Sequence, residues 1–130
     1  MQTHFYFEDL SYVLNGLFYQ IYKQLGYGLR EASYCQLLES LLKQKTINYV
    51  KESKIPLQLY GREITYRKID FLIEDCIIIE IKASSLISQK HFYQVKEYLK
   101  LSGIKLGLLV HFNQKNVNIY RIINPNLNKP

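Results

Sequence analysis

Long apolar runs are missing from this sequence, and none approaches the ~18 residues needed for a membrane helix. Cysteine is scarce. Cys35 and Cys76 are too few for a disulfide scaffold and lack the paired spacing of a zinc finger. The opening stretch MQTHFYFEDL has neither the basic nor the apolar region of a secretory signal, so reduced thiols and a cytoplasmic location are expected. No segment reads as a linker, a repeat or a low-complexity tract. Acidic residues are the scarcer charge, 11 against 17 Lys and Arg, for a net charge of +6. A small basic domain attracts polyanions by counterion release, although charge alone speaks to non-specific binding and not to fold.

The 130 residues suit one domain over 1–130, with an irregular tail over 124–130. Leu10, Val13, Leu14, Leu17, Phe18, Ile21, Tyr22 and Leu25 repeat at helical spacing, and Gly26 and Gly28 end that pattern. Tyr34, Leu37, Leu38, Leu41 and Leu42 mark a second helix from about residue 29 to 45. Extended runs follow over 55–60, 64–73 and 76–83, the first carrying Pro56 as an edge signal and parted from the second by a turn at Gly61-Arg62-Glu63. Ser84, Ser85 and Ser88 offer caps to a third helix that stops at Gly103. Two final strands over 105–112 and 117–122 flank the turn NQKN. The order α-α-β-β-β-α-β-β implies an α/β (α+β) fold, with a mixed central sheet flanked by helices.

The run over 76–83, CIIIEIKA, carries the chemistry. Its isoleucines require a strand buried on both faces, yet Glu80 and Lys82 project together from it. Buried ions cost several kcal/mol each unless they are paired or bind a metal. A cross-strand ion pair at the sheet end would satisfy that alone. Asp70, ten positions before Glu80 and equally surrounded by apolar residues, changes the balance. Set opposite each other on a hairpin, Asp70 and Glu80 repel unless a divalent cation lies between them. That pairing needs an odd connection such as 74–76 or a bulge; a two-residue Glu74-Asp75 turn would set Asp70 against Ile79 instead.

Asp70 followed by Glu80-Ile81-Lys82 resembles the PD-(D/E)XK nuclease superfamily, whose αβββαβ core the element order also matches. Gly28-Leu29-Arg30-Glu31-Ala32-Ser33-Tyr34 is similar to the signature of the prokaryotic GxxExxY proteins within it. Tyr66-Arg67, Tyr98-Leu99-Lys100 and Gly107-Leu108-Leu109 fit the same pattern, so the likeness runs from about residue 15 to 123.

The resemblance implies a restriction-endonuclease-like fold and a metal-dependent nuclease cutting phosphodiester bonds, on DNA ahead of RNA. Mg²⁺ is the implied cofactor, with Mn²⁺ as substitute. Asp70 and Glu80 would be the principal metal ligands, with Glu31 joining them directly or through water. Lys82 would orient or deprotonate the attacking water and offset phosphate charge. Gln94 and Tyr98 match a QxxxY element that supports the site and contacts the nucleic-acid backbone, with His91 on the same helix face. Ser84 and Ser85 stand where relatives often carry an acid, and Tyr22 where many carry His. His4 and His111 read as structural residues. A nucleic-acid-binding module without turnover is the alternative; no membrane partner is expected, and a homodimer stays open.

Overall fold

Two helices come first and cover one face of the sheet. The structure is a computed structural model describing residues 7–127. Residues 1–6, which include His4, and 128–130, the end of the expected tail, lie outside the described residues. Helix α1 spans Glu8–Leu25 and buries Leu14, Leu17, Phe18 and Ile21 along one stripe, as the spacing predicts. Glu8 and Asp9 in its first turn suit the positive end of the helix dipole. Helix α2 spans Glu31–Gln44 and buries Tyr34, Leu38, Leu41 and Leu42.

The sheet has the order β1-β2-β3-β4-β5, from β1 (Tyr49–Leu59), β2 (Arg62–Ile73), β3 (Ile77–Lys82), β4 (Leu106–Phe112) and β5 (Val117–Ile123). Only β3 and β4 run parallel. A parallel pair needs a crossover, and helix α3 (Gln89–Ser102) supplies it. Ser88 and His91 form its capping box, and Gly103 closes it with φ +77°.

Alternation along β3 divides the core. Ile77, Ile79 and Ile81 pack toward α1 and α2, while Ile78 joins Val95, Tyr98 and Leu99 of α3 on the other face. At Gly107 α3 comes so close to the sheet that an added Cβ would lie 2.7 Å from Val95 Cγ1.

Two expectations are corrected. Strand β1 begins at Tyr49 and not near residue 55, because its first half is an edge whose exposed side carries charge. The turn between β1 and β2 is Tyr60-Gly61, both with positive φ, as a two-residue type I′ hairpin demands; Arg62 and Glu63 already belong to β2. Among the described residues no helix is long and apolar enough to cross a membrane.

Candidate active site

Strands β2 and β3 pair only at Phe71–Ile79, Leu72–Ile78 and Ile73–Ile77. Beyond Phe71, β2 continues against β1 alone, and β3 continues against β4 as far as Lys82 beside His111. The sheet forks there. Three residues, Glu74, Asp75 and Cys76, connect the two strands, and the register they set carries Asp70 into position opposite Glu80.

At the fork the backbone ladder stops and the two carboxylates replace it. The Asp70 N–H donates to Glu80 Oε1 at 2.9 Å, and the Ile81 N–H donates to Asp70 Oδ2 at 2.7 Å. Each acid thus satisfies a backbone donor that the splayed strands would otherwise leave unpaired. Glu80 is only 6% exposed. Burial, and then the charge of Asp70, push its carboxyl up to about 8. Burial also raises Asp70, with the charges of Glu31 and Glu52 adding to the effect. In that low dielectric the ionised form of each acid is disfavoured.

Lys82 ends β3 half-buried. Its charge favours the ionised form of both acids, yet among the described residues it forms no ion pair. The simple cross-strand bridge that could have explained its presence is therefore not made.

Glu31 opens α2, where its Oε2 accepts from the Ala83 N–H at 3.4 Å, one residue past Lys82. Tyr34 explains why α2 starts there. Its ring is fully buried and stacks on Phe112 with centroids 4.4 Å apart. Its hydroxyl donates to the Gly26 carbonyl at 2.8 Å and accepts from the Leu29 N–H at 3.4 Å. The tyrosine thus pins both ends of the turn that includes Gly28, whose φ of +105° favours glycine.

The elements expected of one nuclease class are thereby assembled around one fork, and the family model of the PD-(D/E)XK nuclease superfamily matches residues 8–122. The chain belongs to that superfamily. Nucleases of the PD-(D/E)XK class act on nucleic acid and generally use divalent metal ions. One similar solved structure is the crystal structure of SSO0001, at 28% identity and a TM-score of 0.57. The match covers 70% of this chain and 48% of that one, so the chain spans about half the length of that protein. No curated protein matches the chain.

The other residues singled out in the sequence lie around the fork. Tyr98 is buried near Glu80; burial, and then that charge, push its hydroxyl up to about 12. Gln94 opens instead into a neighbouring groove of about 530 Å³, shared with Arg67, Lys90, Tyr93 and Glu97. Burial and the nearby Lys82 lower the pKa of His91. His111 is buried against the Ser84 carbonyl, 2.6 Å from its Nε2. Tyr22 donates to the Asn113 carbonyl at 2.8 Å and braces the β4–β5 turn.

Sequence reading missed Glu52 and Lys51. With Glu31, Ala32, Cys35 and Asp70 they line a cavity of about 240 Å³ that opens beside the fork. Glu52 has φ +55° inside a strand, a conformation with no sequence signal.

Proposed function

We propose that the protein hydrolyses phosphodiester bonds of nucleic acid, DNA ahead of RNA, with Mg²⁺ or Mn²⁺ as cofactor. The observation carrying this reading is the buried Asp70–Glu80 pair at the fork, with Lys82 two residues past Glu80 on β3. Among the described residues no three acidic, His or Cys side chains already form a metal cage. The donor set nevertheless fits Mg²⁺, which keeps several waters and takes one or two carboxylates. Only one oxygen of each acid accepts a backbone hydrogen bond, and the adjoining cavity offers room for waters.

In this reading Asp70 and Glu80 hold the ion, and Glu31 supports it from the start of α2. The ion, when bound, supplies Lewis-acid charge at the scissile phosphate. Lys82 orients the attacking water, takes or shares its proton, and offsets charge on the phosphate oxygens. Tyr98, buried near Glu80, supports the site from α3. Gln94, at the groove on the α3 side, supports the site and contacts the nucleic-acid backbone near the fork. Gly28, Glu31 and Tyr34 support the narrower GxxExxY assignment.

Cleavage of single-stranded, duplex and branched substrates, with Mg²⁺ or Mn²⁺ against chelator, tests the proposal. Asp70→Ala, Glu80→Ala and Lys82→Ala should each reduce metal-dependent cleavage at least a hundredfold with the fold retained. Undiminished cleavage by the Asp70 and Glu80 variants would overturn it. Gel shifts by the wild-type protein without cleavage under any metal would favour the binding module instead.

A further inference from the structure

The β1–β2 ribbon continues well past β3, since Arg62 to Ile69 pair with β1 alone. Ile55 and Ile69 turn one face of this arm onto α3, and Arg67 fastens the same face to Glu97 at 3.1 Å. Alternation therefore places Lys54, Pro56, Tyr66 and Lys68 together on the opposite, solvent face, and all four are exposed.

Lys54 and Lys68 are direct cross-strand partners on that face. Like charges set opposite each other destabilise a sheet. Among the described residues neither lysine has a carboxylate partner. Lys54 instead leans over the Tyr66 ring, 4.6 Å from its centroid. Two further steps along β2, about 7 Å, lead from Lys68 to Asp70. The cavity beside Asp70 is lined by Glu31 of α2, on the sheet side away from α3.

From this arrangement we infer that the Lys54–Lys68 pair holds the phosphates of a nucleic-acid strand leaving the Asp70–Glu80 fork, with Tyr66 as the surface on which the strand lies. The inference deepens the nuclease reading and rests on it. An anionic backbone is the occupant that relieves the opposed ammonium groups, and an exposed ring beside them accepts any base by stacking. The arm is fixed to α3, so a strand held there keeps a set distance from the acids.

Anisotropy of a fluorescein-labelled oligodeoxynucleotide, single-stranded and annealed to its complement, reads binding in chelator without turnover. Lys54→Gln and Lys68→Gln should each flatten the slope of log affinity against log salt by about one. The double variant should bind roughly tenfold more weakly or worse, while Lys115→Gln on the β4–β5 turn changes neither quantity. With Mg²⁺ the double variant should raise KM and keep kcat within about twofold, and it should unfold at the same temperature or higher. A wild-type protein that binds while the double variant binds equally, with an unchanged slope, overturns the inference and leaves the nuclease reading intact. A wild-type protein that neither binds nor cuts overturns both. Loss of a dimer in the double variant with unaltered nucleic-acid affinity would assign the face to a second copy, and overturns the inference as well.

Discussion

Replacing Glu80 by glutamine should make the cation-free protein more stable while abolishing hydrolysis. The native carboxyl sits at about 8 against an ordinary value of 4.5. Its contribution is therefore fully present below pH 4.5 and is lost as pH rises toward 8. Each unit of that span is worth about 1.4 kcal/mol, so keeping the site in its low-pH form at neutral pH has a ceiling of about 3 kcal/mol. Glutamine retains an oxygen to accept from the Asp70 N–H, but it is still a buried polar group beside a carboxyl that shares the strain. A gain of roughly 1–2 kcal/mol is the realistic figure, or roughly 3–8 °C in Tm for a chain of this size. Thermal unfolding by circular dichroism in chelator, stepped from pH 5 to 8, should show the advantage of the variant growing with pH. Mg²⁺ should then raise the wild-type Tm and leave the variant unmoved. A variant less stable than wild type at every pH, or an advantage independent of pH, would refute the account of the fork as an electrostatically strained pair.

Four other outcomes follow from the packing. Gly107→Ala should cost about 1–3 kcal/mol in urea unfolding, because the new methyl meets Val95 Cγ1 at 2.7 Å; adding Val95→Ala should make the pair less than additive. Burial pushes the Cys35 thiol up to about 12, so iodoacetamide at pH 8.5 should label half-buried Cys76 first, and equal labelling of both thiols would contradict this. The same shift makes stability fall as pH climbs above 9, where the unfolded chain releases a proton that the native chain keeps; the slope should lessen in Cys35→Ala. Tyr34→Phe should cost about 1 kcal/mol and speed tryptic cleavage at Arg30, since the turn over residues 26–29 loses its pin; an unchanged cleavage rate would rule that anchoring out.

How much of this the sequence disclosed varies by element. Helix α1 and strand β3 were legible because their apolar residues keep one period without interruption. The first half of β1 was not. There Val50, Glu52 and Lys54 face solvent on a sheet edge, and an exposed edge with alternating charge resembles a loop. Glu52 was hidden twice, by that edge and by its positive φ. Lys54 and Lys68 lie fourteen positions apart in the sequence, and only the pairing register shows that they oppose each other. Asp70, Glu80 and Lys82 stood out for the opposite reason, as charges inside apolar strands. The part played by Tyr34 was invisible, since its partners are backbone atoms of Gly26 and Leu29.

The loop Glu74-Asp75-Cys76 touches neither acid, and both Glu74 and Asp75 adopt positive φ to close it. Its length nonetheless sets the phase of everything downstream on β3. Deleting a single residue would shift that strand by half its side-chain period, turning Glu80 and Lys82 toward the packed helices and presenting isoleucine to the fork. Substitutions that tolerate the two positive-φ positions would leave that phase intact, but shortening or lengthening the loop by one would erase the chemistry at a stroke and turn two charges into packed hydrocarbon.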